Sequence, residues 1–169
     1  MGKFKLVKCG LIEYLEDKTN NLIVQCVNSK NVMGAGIAKV IYNKWPQVKT
    51  EYHKFMDNGN GLGDIQYINC NNFKNQFVVN MVAQDVPGGH DFKTKSGKVH
   101  LPPVRYDSLK QCMLQISQGF MTKGLYTKGY TVVGPKFCAG LSGGDWKIIK
   151  NLIDECWLAN DIDVTICEL

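Results

Sequence analysis

Short apolar segments and amphipathic helical segments alternate along the whole chain of 169 residues. The segment QFVVNMVA (76–83) is nearly continuously apolar, which is typical of a strand covered on both faces. Strands that alternate with helices predict an α/β sandwich with a mostly parallel central sheet. The expected strands are 4–10, 22–27, 65–70, 76–83, 130–134 and 163–169.

Four segments carry the apolar repeat of an amphipathic helix. The first covers 35–45, where Ile37, Val40, Ile41 and Trp45 share one face. Pro46 then starts a second helix, which ends near residue 58. The third and fourth helices are expected at about 106–122 and 145–158. Their predicted inward residues, with those of the second helix, are Val48, Tyr52, Phe55, Met56, Leu109, Met113, Ile116, Phe120, Trp146, Ile149, Ile153 and Trp157.

Chain length, net charge and the lack of long apolar runs limit the kinds of protein that this sequence can encode. A chain of 169 residues is expected to form a single domain, 1–169, with a substantial core. The net charge of +5 suits a phosphate-bearing ligand, but no arginine-rich stripe indicates a nucleic-acid surface. The sequence has no secretory signal and no apolar run that could span a bilayer, so we expect a cytoplasmic protein without a membrane partner.

The cysteines and histidines indicate neither a disulfide framework nor a metal site. The cysteines are odd in number, form no CxxC pair, and several lie in apolar segments, which favours reduced, mostly buried thiols. The three histidines are too dispersed for a metal cluster. The seven cysteines are Cys9, Cys26, Cys70, Cys112, Cys138, Cys156 and Cys167.

Two glycine-bearing loops are expected at the ligand-binding edge of the sheet. Ligands of such sheets bind beyond the carboxyl ends of the strands, which selects loops 9–12, 28–36, 84–104 and 134–145. MGAG (33–36) and CAGLSGG (138–144) each lead from a strand into a helix. Helix N-termini attract anions and small residues let a ligand approach the backbone. Each loop alone is also compatible with a purely structural turn; the pair favours a diphosphate site.

The segments LIVQCVNSKNVMGAGIAKVIYNKWP and GPKFCAGLSGGDW together resemble the macro domain family, over nearly the whole chain. The resemblance is closest to the small macro domains that include the yeast ADP-ribose 1″-phosphate phosphatase, the terminal ADP-ribose glycohydrolase of animals and similar phage proteins. It implies a three-layer α/β/α sandwich with a mixed, mostly parallel central sheet. It also implies ADP-ribose derivatives as ligands, without a cofactor. If the origin is viral, the expected location becomes the host cytoplasm.

The resemblance also assigns ligand contacts. It places Asn28 beside the distal ribose, and Leu11, Ile12 and Leu169 near the adenine. It also counts Gln25, a polar residue three positions before Asn28, among the ligand-binding residues. The first loop is implied to wrap the diphosphate and distal ribose, and the second to bind the diphosphate through backbone N–H groups. The implied residues of the two loops are Met33, Gly34, Ala35, Gly36 and Ile37, and Cys138, Ala139, Gly140, Leu141, Ser142, Gly143 and Gly144.

Three positions depart from the pattern of the family. Most macro domains have an aspartate that accepts from the adenine amino group where this chain has Leu11. A nucleotide other than ADP-ribose is therefore an alternative ligand. The lysine and aspartate used by the animal glycohydrolase correspond to Gln84 and Ser142, so we do not expect a covalent lysyl mechanism.

Four residues are candidates for catalysis, each with a structural alternative. Asp145 could act as a base or cap the helix that follows it. Asn28 could orient water or a ribose hydroxyl, or stabilise a turn. Gln84 could point into the site or be hydrogen-bonded in the core. His90, beside Asp91 in the long loop, could be a mobile acid or base, or an exposed histidine without a role.

These patterns predict a monomer that binds ADP-ribose or a related nucleotide and hydrolyses a bond at the distal ribose. The enzyme would be an ADP-ribose 1″-phosphate phosphatase or an ADP-ribosyl glycohydrolase, and its partners could include ADP-ribosylated macromolecules. The alternative is a module that binds ADP-ribose or a nucleotide signal without catalysis.

Overall fold

A computed structural model describes residues 1–86, 103–140 and 142–169. Within these ranges the strands are β1 (Phe4–Lys8), β2 (Asn21–Asn28), β3 (Ile65–Asn71), β4 (Gln76–Gln84), β5 (Thr131–Gly134) and β6 (Val164–Glu168). The helices are α1 (Leu11–Leu15), α2 (Gly36–Lys44), α3 (Gln47–Asp57), α4 (Tyr106–Thr122) and α5 (Trp146–Cys156), with a 3₁₀ turn at Leu158–Asn160.

The six strands form one sheet in the order β1-β6-β5-β2-β4-β3. Neighbours from β1 to β4 are parallel, and only β3 runs antiparallel to its neighbour β4. The first five strands of this order therefore end at the same edge. The predicted mixed, mostly parallel sheet is confirmed.

Helices cover both faces of the sheet, which gives three layers. On one face, α4 and α5 pack over Leu22, Val24 and Val79. On the other, α1, α2 and α3 pack over Ile23, Val78 and other buried residues. The central strands are thus buried on both sides, as the continuous apolar pattern of β4 predicts.

The predicted inward faces are confirmed for α4 but only partly for α2. Leu109, Met113, Ile116 and Phe120 are at most 1% exposed.

Ile41 of α2 and Trp45 directly after it are buried, whereas Ile37 and Val40 of α2 are 36% and 47% exposed. The prediction is wrong for these two. Ile37 belongs to the first turn of α2, which lies at the edge where the strands end, and Val40 lies beside the narrow stripe through Ile41 that packs on the sheet. Ile149 and Ile153 of α5 and Trp157 directly after it are fully buried, but Trp146 is only half-buried against Phe137.

The segment after β1 is a short helix, although the sequence predicted a loop at 9–12. Leu11 and Leu15 are its buried residues and belong to the core on the α1–α3 side. Five residues span less than two turns, too few for an apolar repeat to show. Across the described ranges, no helix is long and apolar enough to cross a lipid bilayer.

Buried acidic groups make the fold sensitive to alkali, and Cys112 and Tyr52 have the highest pKa values among them. Burial raises the pKa of the Cys112 thiol from 9.0 to about 12, with the nearby Asp64 carboxylate adding to the effect. Burial likewise raises the pKa of the Tyr52 hydroxyl from 10.0 to about 12. In both cases the folded chain keeps a proton that the unfolded chain releases, so the free energy of unfolding falls as pH rises from 9 towards 12.

From Cys112 and Tyr52 we therefore expect the free energy of unfolding to fall by at least about 3 kcal/mol between roughly pH 8 and pH 10.5, measured by urea titration. The Cys112→Ala variant should show a shallower fall, because it no longer carries the shifted thiol. An unchanged pH dependence in this variant would contradict the assignment to Cys112.

Candidate ligand-binding cleft

A cleft of about 410 Å³ opens at the edge of the sheet where the parallel strands end. Its floor is the end of β2, one wall is the segment from Val32 to the first turn of α2, and the other is the loop after β5. Both glycine-bearing loops identified in the sequence therefore meet at one cleft. The lining residues are Cys26, Val27, Asn28, Val32, Met33, Gly34, Ala35, Gly36, Ile37, Ala38, Gln84, Pro135, Lys136, Phe137, Cys138, Gly140 and Ser142.

The side chain of Asn28 holds the first loop in place. Its Oδ1 accepts from the backbone N–H groups of Lys30 and Val32, at 3.0 and 3.3 Å. Its Nδ2 donates to the Val32 carbonyl oxygen at 2.7 Å. The Tyr52 hydroxyl reaches both the carbonyl oxygen and Oδ1 of Asn28, at 2.7 and 3.0 Å. Asn28 thus lines the cleft, but its amide is engaged in the turn, as the structural alternative predicted.

The start of α2 presents its backbone to the cleft. Ala35, the residue before the helix, is extended and supplies no side-chain cap. Gly36 has φ of +61°, a conformation that favours glycine. A Cβ on Gly34 would meet no atom within 4 Å, so this glycine faces open space. The first N–H groups of α2 are therefore available to an anion.

The second loop divides into residues that face the cleft and residues that hold the loop. Gly140 lines the cleft, and a Cβ there would meet nothing within 4 Å. A Cβ on Gly144 would lie 2.2 Å from the Cys138 carbonyl oxygen, which also accepts the Gly144 N–H at 2.8 Å. Gly144 is thus required for close backbone packing. It does not line the cleft, and neither do Ala139 and Gly143, although all three were expected to contact ligand.

Gln84 and Ser142 meet at the cleft floor. Both are buried, with 6% and 7% exposure, and Gln84 Nε2 donates to Ser142 Oγ. Gln84 therefore satisfies both sequence alternatives, since it is hydrogen-bonded and also lines the cleft. Because Ser142 Oγ accepts this bond, its own hydrogen can be donated towards the cleft.

The structure corrects the prediction that all seven cysteines are reduced. Cys26 of β2 and Cys138 of the second loop form a disulfide. The sheet order places β5 beside β2, so the loop after β5 lies against β2 across 112 residues of sequence. The other five cysteines are free.

Several predicted site residues lie away from the cleft. Gln25, expected among the ligand-binding residues, is fully buried and donates to Asn80 Oδ1 at 2.8 Å, so the structure does not bring it to the cleft. Strand alternation explains this, because Gln25 and Cys26 point to opposite faces of the sheet. Leu11 is in the core of α1, and Ile12 also packs against that core. Leu169 is fully exposed at the chain end. None of these residues lines the cleft.

Asp145 is an N-cap, as one of its two interpretations predicted. Its Oδ1 accepts from the Lys147 N–H at 2.9 Å, and its own N–H donates to the Tyr106 hydroxyl at 2.8 Å. Asp145 is exposed and does not line the cleft. His90 and Leu141 lie outside the described residues.

Lys136 is a cleft residue that the sequence reasoning missed. Among the described lining residues it is the only charged one. Its Nζ pairs with Glu168 Oε2 at 2.7 Å and lies 5.5 Å from the centroid of the Trp146 ring. The predicted ligand-binding part of the second loop began at Cys138, because it was placed around the glycines. The wall of the cleft already begins at Pro135. The position of Lys136 just after β5 could have indicated its place in the cleft, since any residue directly after a parallel strand lies at this edge.

The described residues contain no group of three or more His, Cys, Asp or Glu side chains that could hold a metal ion. The described lining offers backbone N–H groups, the Ser142 hydroxyl and the ammonium group of Lys136, which is paired with Glu168. This set of donors suits an anionic ligand.

The chain has the macrodomain fold. No protein-family model and no curated protein matches it. Among solved structures, it resembles a macrodomain protein from Streptomyces coelicolor, with a TM-score of 0.75, 22% identity and 99% of each chain covered. A protein of unknown function from Bacteroides thetaiotaomicron gives a TM-score of 0.82 at 24% identity, again over 99% of each chain. Thermosipho africanus DarTG in complex with ADP-ribose gives a TM-score of 0.73 at 14% identity, covering all of this chain and 42% of that one.

Proposed function

We propose that the cleft binds ADP-ribose or a close derivative of it. One observation carries the proposal: Gly34 and Gly140 both present open backbone to the same cleft from its two walls. Glycines that face open space allow a bulky ligand to reach the N–H groups of the backbone. Two such walls can bind a diphosphate from both sides through their backbone N–H groups.

The charge and size of the cleft support the same ligand class. Lys136 is the one charged side chain among the described lining residues, and Glu168, the carboxylate paired with it at 2.7 Å, does not line the cleft. The volume of about 410 Å³ lies within the range of roughly 300–1,000 Å³ for small-molecule sites. Most of the remaining lining is apolar, including Val32, Ile37 and Phe137, and can pack against ribose and base.

The similarity to the ADP-ribose complex of Thermosipho africanus DarTG is further support for this ligand. ADP-ribosylated macromolecules are partners that such a cleft could recognise through the same group. Leu11 lies in the core and carries no carboxylate, so the selectivity for adenine must come from elsewhere in the chain.

We further propose that binding, without efficient hydrolysis, is the function of the described site. Hydrolysis at the distal ribose needs a group that accepts a proton. The described lining contains no carboxylate and no histidine, and the Asn28 amide is engaged in the turn. Gln84 and Ser142 are neutral and bonded to each other, so they can orient a water or a hydroxyl but cannot serve as a base.

Calorimetry with ADP-ribose, together with turnover assays on ADP-ribose 1″-phosphate and on an ADP-ribosylated protein, tests both statements. We expect saturable binding of ADP-ribose and negligible turnover of either substrate. Turnover would establish the hydrolase that the sequence predicted and overturn the binding-only proposal. A thermal-shift panel of nucleotides completes the test, since a bound ligand stabilises the native state. A larger shift with a different nucleotide would overturn ADP-ribose as the ligand.

A further inference from the structure

The disulfide joins the floor of the cleft to one of its walls. Cys26 lies near the end of β2, Cys138 begins the glycine-bearing part of the second loop, and both line the cleft. Their Cα atoms are 5.8 Å apart. The bond therefore fixes the position of the second loop relative to the central strand of the site.

The ligand-facing part of the second loop depends on Cys138. Cys138 has φ of +61°, which is uncommon for a residue other than glycine and persists only where the surroundings hold it. Two contacts hold it here: the disulfide to Cys26, and the hydrogen bond from Gly144 N–H to its carbonyl oxygen. Gly140 and Ser142, which line the cleft, lie in sequence between Cys138, which carries the disulfide, and Gly144, which donates the hydrogen bond. Breaking the disulfide removes one of the two anchors.

The position of the bond also makes it accessible to small reagents. The cleft is open to solvent, and Cys26 is only partly buried. Two buried free cysteines elsewhere are poorer targets: burial raises the pKa of the Cys112 thiol to about 12 and that of Cys167 to about 11. Since the thiolate is the reactive form, these buried thiols are expected to be inert.

We propose that Cys26–Cys138 is a reversible thiol–disulfide site that sets the affinity of the cleft for its ligand. The inference rests on the proposed binding function. A dithiol reductant supplies two electrons and two protons: the S–S bond breaks, two protein thiols form, and the reductant becomes a disulfide. The oxidised protein holds the second loop in its binding geometry, whereas the reduced protein must order that loop when ligand arrives.

The test compares the full chain in its oxidised and reduced forms, with ADP-ribose as the probe in calorimetry. Alkylation in denaturant followed by mass spectrometry assigns the state, with five free thiols expected when oxidised and seven when reduced. We expect the oxidised protein to bind about 10-fold more tightly, because a preorganised loop has less conformational freedom to lose on binding. This comparison requires no substitution, and far-UV circular dichroism verifies that both forms are folded.

Three variants assign the effect to this pair. Cys26→Ser and Cys138→Ser should each bind as the reduced wild-type protein does, whether or not a reductant is present. Cys70→Ser, which removes a free cysteine outside the cleft, should respond to reductant as the wild-type protein does.

The outcomes separate the two proposals. Equal affinity of the oxidised and reduced proteins, or seven alkylated thiols without reductant, would overturn the redox inference and leave the binding function standing. An absence of ADP-ribose binding in both states would overturn the binding function and its redox control together.

Discussion

The Gly140→Glu variant will fold like the wild-type protein and lose at least about 100-fold in affinity for ADP-ribose. A Cβ at this position meets no atom within 4 Å, so the new side chain has room to extend without disturbing the loop. Because Gly140 lines the cleft, the carboxylate enters the space assigned to the diphosphate. Two like charges about 4 Å apart near a protein surface repel by about 4 kcal/mol, which exceeds the expected loss.

The isosteric variant Gly140→Gln separates charge from bulk. It fills the same space without the carboxylate, so it should retain more affinity than Gly140→Glu. Calorimetry gives the affinities, and thermal unfolding verifies that both variants are folded. Wild-type affinity in the Gly140→Glu variant would show that the diphosphate does not pass this wall of the cleft.

The Gly144→Ala variant, in the same loop as Gly140, should affect stability because Gly144 is needed for packing. Its Cβ would lie 2.2 Å from the Cys138 carbonyl oxygen, so the backbone must move. We expect a loss of about 2 kcal/mol in the free energy of unfolding, as for other overpacked positions. The contrast between Gly140 and Gly144 distinguishes a glycine kept open for ligand from one needed for packing.

Much of the fold could be predicted from the sequence because most elements are long enough to show their periodicity. The four inward residues of α4 repeat over three turns and are all buried. The short helix α1 and the exposed apolar residues of α2 could not be predicted in the same way. Ile37 and Val40 of α2 have helical spacing but are exposed. Whether helical spacing leads to burial depends on how far the sheet extends beneath the helix.

The site was partly predictable for a related reason. Glycine-bearing loops after parallel strands mark the ligand edge, and Gly34 and Gly140 do line one cleft. The disulfide could not be predicted, because the pairing of Cys26 with Cys138 depends on β2 and β5 being neighbours. Strand alternation does account for the position of Gln25. Adjacent residues of a strand point to opposite faces, and its neighbour Cys26 faces the cleft, so Gln25 points away from it.

The Asn28→Ala variant should lose about 3 kcal/mol in the free energy of unfolding, together with much of its affinity for ADP-ribose. The Asn28 amide satisfies the Lys30 N–H and both backbone groups of Val32, and it also contacts the Tyr52 hydroxyl. Alanine leaves these partly buried partners without the amide, and each lost hydrogen bond costs about 0.5–1.5 kcal/mol. Affinity falls because the same turn leads into the segment 33–36 that forms one wall of the cleft.

Two further variants show whether Asn28 acts through the turn or on the ligand itself. Asn28→Asp keeps the oxygen that accepts from Lys30 and Val32 but loses the donor to the Val32 carbonyl, so it should be intermediate in stability and affinity. Tyr52→Phe removes only the hydroxyl and should cost about 1 kcal/mol. Urea unfolding and calorimetry measure both quantities for each variant. If Asn28→Ala lost affinity while its free energy of unfolding stayed at the wild-type value, Asn28 would have to contact the ligand directly, and the turn would not explain its place in the site.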